Sequence, residues 1–286
     1  MGATMLSITT DYAADTGCPE PYLRRIAEAG FSHVHWGHQW TGDFLYGAPE
    51  IRQIKAWLGE LGLKLLDLHA SVGPEKNYGS LREYERQAGV ELVKNRLEMT
   101  AELGADVAIL HLPGMHDKLD NAPDVWEQLW RSFDELAPVI RSTGVRIAIE
   151  NGPIRHIANI CDRYPPEAFG MCYDCGHGNM GHLNTEGGLD ELEPLKDRLI
   201  SVHLHDNDGS GDQHKVPFTG TVDWDRLVGI LAESSYTKCV SMESSVGDGF
   251  DDEIAFLQAA FDAGTRLAAM IDKRRGQTAQ PASAPG

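Results

Sequence analysis

The chain is short of positive charge. Its 286 residues carry 25 Lys and Arg against 43 Asp and Glu, a formal net charge of −18. Duplex nucleic acid is held by a cationic face, so no nucleic-acid partner is expected. Cysteine is scarce too: five residues, an odd number, make no disulfide framework and fit a reducing cytoplasm. No uninterrupted apolar run approaches the roughly 20 residues of a membrane span, so no membrane partner is expected. The opening MGATMLSITTDYAADTG lacks the basic start and apolar core of a secretory signal. No Pro/Ser-rich linker divides the middle, which favours one domain over residues 1–275. The stretch GQTAQPASAPG, residues 276–286, has no apolar side chain larger than Ala or Pro and is expected to be a disordered tail.

What the chain does have is repetition. Short apolar runs recur at 5–9, 32–36, 64–69, 107–111, 146–150, 170–174, 199–203 and 239–243. Amphipathic segments lie between them. PEPYLRRIAEAG ends at Gly30, PEIRQIKAWLGELG at Gly62, REYERQAGVELVKNRLEMTAELG at Gly104 and VWEQLWRSFDELAPVIRSTG at Gly144; DWDRLVGILAESS precedes the eighth run. Strand then helix, eight times at about 30–40 residues per unit, predicts an α/β fold of the (β/α)8 TIM-barrel type. A doubly wound open sheet ranks second, because no Gly-rich phosphate loop follows the first run.

The ends of these runs carry metal-ligand residue types. They deliver His69, His111, Glu150, Asp174, His203 and Glu243, separated by 42, 39, 24, 29 and 40 residues. In a barrel, successive strand ends surround one mouth, so all six converge. A lone His or Glu at a strand end usually has a structural role. Several carboxylates packed together repel one another unless a divalent cation joins them. The mixture of imidazole and carboxylate suits Mn, Co, Fe or Zn and is too rich in nitrogen for Ca. The loop HDNDGSGDQH adds Asp212 and His214, two apart and able to face one side; with His177 they form a possible further metal site.

At these residues the chain resembles the xylose isomerase-like TIM-barrel superfamily, which includes sugar isomerases, epimerases and an endonuclease IV branch. The pieces that carry the resemblance are IAIENGP, YDCGHGN, VHLHDNDG followed by DQH, and the final MESS. The epimerase pattern implies one metal held by Glu150, Asp174, His203 and Glu243. The two glutamates, Glu150 and Glu243, would pass protons on opposite faces of an enediolate. The endonuclease pattern implies three zinc ions and five more ligands: His69, His111, His177, Asp212 and His214. Two departures stand out: the loop reads DQHKVPFTG where Gly-Glu-Gly usually follows the His, and the basic DNA-binding loops have no counterpart.

Metal number decides the chemistry. One divalent ion against Glu150, Asp174 and Glu243 leaves a net charge of −1, suited to a neutral sugar. Three ions, with Asp212 added, leave +2, suited to a phosphate. The preferred reading is a metal-dependent isomerase or epimerase of a small sugar or sugar phosphate, using Mn, Co or Zn. The alternative is a trinuclear zinc phosphoesterase acting on a small phosphorylated molecule. In the isomerase reading His69, His111 and His205 orient substrate hydroxyls. His35 and His38 line the mouth, and Trp36 or Trp40 forms an apolar wall against a sugar face; packing in the core is their alternative. Asp206 is expected to orient an imidazole. Cys172 is read as a small residue of the barrel interior, and Trp126, Trp130 and Phe133 as a helix core stripe. A homo-oligomer stays open.

Overall fold

The computed structural model describes residues 5–71, 73–113, 119–181, 186–247, 249–250 and 252–278. Eight strands form it: β1 Leu6–Thr9, β2 His33–Trp36, β3 Lys64–His69, β4 Val107–Leu110, β5 Arg146–Glu150, β6 Phe169–Asp174, β7 Leu199–His203 and β8 Val240–Met242. They match the eight apolar runs to within one residue at each end. Every pairing is parallel, in the order β7-β6-β5-β4-β3-β2-β1-β8. The ring closes where Leu204 pairs with Met242 just beyond β7, through Leu204 N to Ser241 O at 2.9 Å and Glu243 N to Leu204 O at 3.2 Å. The (β/α)8 barrel is therefore the fold.

Helices cover the outside: α1 Glu20–Glu28, α2 Ala48–Leu61, α3 Glu83–Glu102, α4 Pro123–Thr143 and α5 Ile154–Arg163. A single turn, α6 Cys175–Gly178, follows β6; α7 Leu189–Leu192 runs into a 3-10 helix Glu193–Arg198, and α8 Trp224–Glu233 and α9 Glu253–Thr278 complete the ring. Gly144 ends α4 at φ 71°, a left-handed turn that only a residue without Cβ adopts freely. The tail expected over 276–286 is helical at 276–278, where α9 ends; residues 279–286 lie outside the described residues. Among the described residues α9 alone is long and apolar enough to cross a bilayer, yet Phe256, Leu257, Ala260, Leu267 and Ile271 are buried against the barrel.

Two cores result. The larger fills the space between sheet and helices and contains Phe133, with Trp126 and Trp130 half-buried beside it. The smaller lies inside the ring and contains Val107, Ile109, Ala148, Cys172 and Ile200. These come from β4 to β7, so apolar side chains fill one side of the interior. Polar side chains share the buried interior of the barrel: Ser7, His35, Asp67, Ser201, His203 and Ser241. The register slips by one residue at two places. His35 pairs with Asp67, skipping Leu66, and Cys172 pairs with Ser201, skipping Ile200.

Candidate functional site

The alternation of strand side chains turns one residue at each strand end into the mouth of the ring. Glu150, the last residue of β5, occupies its centre and is buried. Its Oε2 lies 3.2 Å from His69 Nε2 and 3.2 Å from His111 Nε2, which sits just past β4. Its Oε1 lies 3.2 Å from His203 Nδ1. That nitrogen is also 3.0 Å from Glu243 Oε2, just past β8, and 3.9 Å from Asp174 Oδ2. Glu150 thus belongs to two groups whose ligand atoms lie within 4.8 Å of one another: His69, His111 and Glu150, and Glu150, Asp174, His203 and Glu243.

Local chain geometry brings in the rest. Asp174 caps α6 by accepting from the His177 amide at 2.7 Å, and the turn carries His177 Nε2 to 3.4 Å from Asp212 Oδ2. The loop after β7 doubles back through two backbone bonds between Asp206 and Lys215, 2.8 and 2.9 Å. It presents Asp212 and His214, whose Oδ2 and Nε2 are 3.0 Å apart. His214 holds a left-handed φ of 47°. His205 stacks on His214 with centroids 4.2 Å apart and its Nε2 is 3.0 and 2.9 Å from the two Asp174 oxygens. His205 fits there because residue 176 is glycine: a Cβ at Gly176 would lie 1.9 Å from its Cε1. His205, Asp212 and His214 form a third group of ligand atoms within 4.8 Å.

Protons balance the charge when no ion is bound. Burial pushes the Glu150 carboxyl up, but the imidazoles of His111 and His203 pull it well below the ordinary range. Burial likewise opposes ionisation of Asp174, and His177 and His205 overcome it. Burial lowers His214, but the Asp212 hydrogen bond and the Glu243 charge raise it to about 10. Against the effect of burial, His177 is raised well above the usual imidazole value by Asp174, Asp212 and Glu150, and His203 by Cys172 and then by the carboxylates of Glu243 and Glu150. His111 goes the other way: burial and surrounding imidazoles push it down to about 3. Several buried carboxylates held together by borrowed protons are what a divalent cation replaces. The donor set of three carboxylates and one imidazole suits Mn2+, Co2+ or Zn2+, and the histidine-rich group at His69 and His111 suits Zn2+.

His69, His111, Glu150, His177, Asp212, His214 and Glu243 open onto a cavity of about 320 Å³. Trp40 forms one wall, its ring 4.4 Å from His69 and 5.3 Å from His111 between centroids. Of the aromatic and histidine residues assigned to substrate, Trp40, His69 and His111 line this cavity, and Trp36, His35, His38 and His205 do not. Trp36 faces the outer core and donates Nε1–H to Tyr46 at 3.1 Å; with His38 it lines a separate apolar cavity beside α2. The reason is alternation: Trp36 follows the inward His35 and so points outward. His35 lies below the cavity, bonded to Asp67, and His205 lies behind Asp174. Among the described residues Asp206 orients no imidazole. It accepts from the amides of Phe218 (2.9 Å) and Val222 (3.1 Å) and from Trp224 Nε1 (2.9 Å), and so holds the loop together. Thr9, Asp11 and Ser245 also line the cavity and were missed. Thr9 ends β1 as Glu150 ends β5, so the same strand-end rule finds it; Asp11 and Ser245 lie in loops.

The chain is similar to the uncharacterized protein y4fM of Sinorhizobium fredii, 32% identical over 90% of this chain and 91% of that one. It is 28% identical to the probable endonuclease 4 of Mycobacterium marinum, over 64% of this chain and 74% of the relative. In structure it resembles an L-ribulose 3-epimerase, with a TM-score of 0.79 at 14% identity, covering 98% of this chain and 99% of that one. Residues 23–260, from α1 into α9, match the family described as xylose isomerase-like TIM barrel, and the chain belongs to that family.

Proposed function

We propose that the chain is a metal-dependent isomerase or epimerase of a small, uncharged sugar. One observation carries the reading: Glu150 and Glu243 reach the same His203 nitrogen, at 3.2 and 3.0 Å, and both line the 320 Å³ cavity. A divalent ion held by Glu150, Asp174, His203 and Glu243, Mn2+ or Co2+ for preference, would polarise the substrate carbonyl and acidify the adjacent C–H. Glu150 and Glu243 take that proton and return it to the neighbouring carbon or to the other face. Trp40 packs on the apolar face of the sugar, and Thr9, Asp11 and His177 hydrogen-bond its hydroxyls. Among the described residues lining the cavity there is no Lys or Arg, which favours a neutral sugar over a phosphorylated one. The likeness of fold to an L-ribulose 3-epimerase agrees with this chemistry. All five cysteines are free and four are buried, in keeping with a cytoplasmic enzyme.

The test is incubation with simple ketoses in D2O with one equivalent of Mn2+ or Co2+. Deuterium is expected at the carbon beside the carbonyl, and Glu150→Gln should abolish its uptake. Hydrolysis of a phosphate monoester without deuterium uptake into any sugar overturns the reading.

The two further ligand groups favour a second reading, a trinuclear zinc phosphoesterase. Metal analysis separates them: about one ion per chain for the isomerase, about three Zn2+ for the hydrolase.

A further inference from the structure

We infer that His35 is a metal ligand, forming with His203 and Glu243 a seat for a divalent cation at the floor of the cavity. The inference rests on the metal-dependent reading above and adds a ligand to it.

His35 is fully buried on β2. Its Nδ1 is 2.8 Å from Asp67 Oδ1, and the other Asp67 oxygen accepts from the Ser201 hydroxyl. An ionised Asp67 only accepts, so Nδ1 carries the ring proton and Nε2 of the neutral ring presents a lone pair. Nε2 is buried and has no hydrogen-bond partner. It faces Glu243 Oε1 at 3.8 Å, too long for a hydrogen bond but short enough for two atoms to share one ion. The His35 and His203 rings are 4.5 Å apart between centroids, and His35, His203 and Glu243 place ligand atoms within 4.8 Å of one another. A carboxylate that fixes the tautomer of an imidazole, leaving its far nitrogen free, is the usual support for a metal-binding histidine.

A purely structural pair explains less. Elsewhere in the same interior Val107, Ile109, Ala148 and Cys172 pack together, so apolar residues can fill the ring. A pair kept only for packing has no use for a buried, unmatched nitrogen aimed at a carboxylate. The register slip at Leu66 also serves the arrangement, because it sets His35 beside Asp67.

Co2+ binding to the full chain tests this. His35→Asn keeps an amide N–H within reach of Asp67 but has nothing at the Nε2 position. Its affinity for Co2+ should be at least about tenfold weaker than that of the unaltered chain, with the cobalt absorption spectrum changed. Equal affinity and an unchanged spectrum in a folded His35→Asn overturn the inference. Should that variant not fold, anomalous scattering from Co2+-soaked crystals of the unaltered chain decides. An ion about 2.1 Å from His35 Nε2 supports the inference. An ion bound by Glu150, Asp174, His203 and Glu243 but away from His35 overturns it and leaves the isomerase reading intact. No ion on any of these residues overturns both.

Discussion

His214 donates its Nδ1–H to the main-chain carbonyl of Glu243 at 2.6 Å. The loop after β7 is therefore fastened to the residue that follows β8, and the Asp212–His214 pair lines the same cavity as Glu150 and Glu243. Whether that loop brings extra ions or only extra hydrogen bonds separates the two chemistries.

Asp212→Ala is expected to retain one bound ion and deuterium exchange within about threefold of the unaltered chain, since Asp212 is outside the Glu150, Asp174, His203 and Glu243 group. Metal analysis and exchange rates check this; loss of two ions together with activity would favour the hydrolase.

The pH dependence of the metal-free chain follows from His214. Its folded pKa is raised to about 10 from an ordinary 6.5, so the contribution of its pair with Asp212 is complete below pH 6.5. That contribution is lost as the pH climbs towards 10. The melting temperature of the chain in chelator should fall across this window, and less so in His214→Ala. In the three-ion reading His214 is itself a ligand and must be neutral to bind, so further Co2+ ions should then bind more tightly over the same window with release of protons, whereas the single-ion reading expects no such gain. Calorimetry in buffers of different ionisation enthalpy reads the protons directly.

Trp40→Ala removes the wall that packs against His69 and His111. An aromatic contact contributes about 0.5–1.5 kcal/mol beyond buried area, so KM should rise by roughly three- to tenfold with a smaller change in kcat. Trp40→Phe should restore most of it. Steady-state kinetics of the three forms provides the check.

Asp206→Ala strands three backbone amides, of Asn207, Phe218 and Val222, and the Trp224 indole N–H in a buried loop. Each buried unmatched donor costs about 1–3 kcal/mol, so a loss of at least about 3 kcal/mol is expected in urea unfolding. A value under about 1 kcal/mol would mean that water replaces the carboxylate without penalty.

The barrel and its ligands were legible because both depend on local pattern and period. Apolar runs at regular spacing mark the strands, and the inward residue at each strand end repeats that spacing, from His69 to Glu243. What the sequence hid depends on parity and on loops. Trp36 and His38 look like mouth residues until the inward position of His35 is known, which sends Trp36 outward. His205 shares the parity of His203, yet it packs behind Asp174 through the space left at Gly176. Asp206 sits one residue on and turns to backbone amides from its own loop, which no spacing rule reveals. Asp11 lies beyond β1, where a Gly37 Cβ would come within 2.6 Å of its carboxylate, a contact between loops 26 positions apart in the chain.

Strands β3 and β7 each insert one residue, Leu66 and Ile200, immediately before the inward pair Asp67 and His69 or Ser201 and His203. Asp67 and Ser201 then join hands across the ring. Each insertion resets the phase of everything downstream in its strand. A chimera that borrows either segment from a relative lacking the extra residue would turn His69 or His203 towards the helices, so these two strands can be exchanged only together with their insertions.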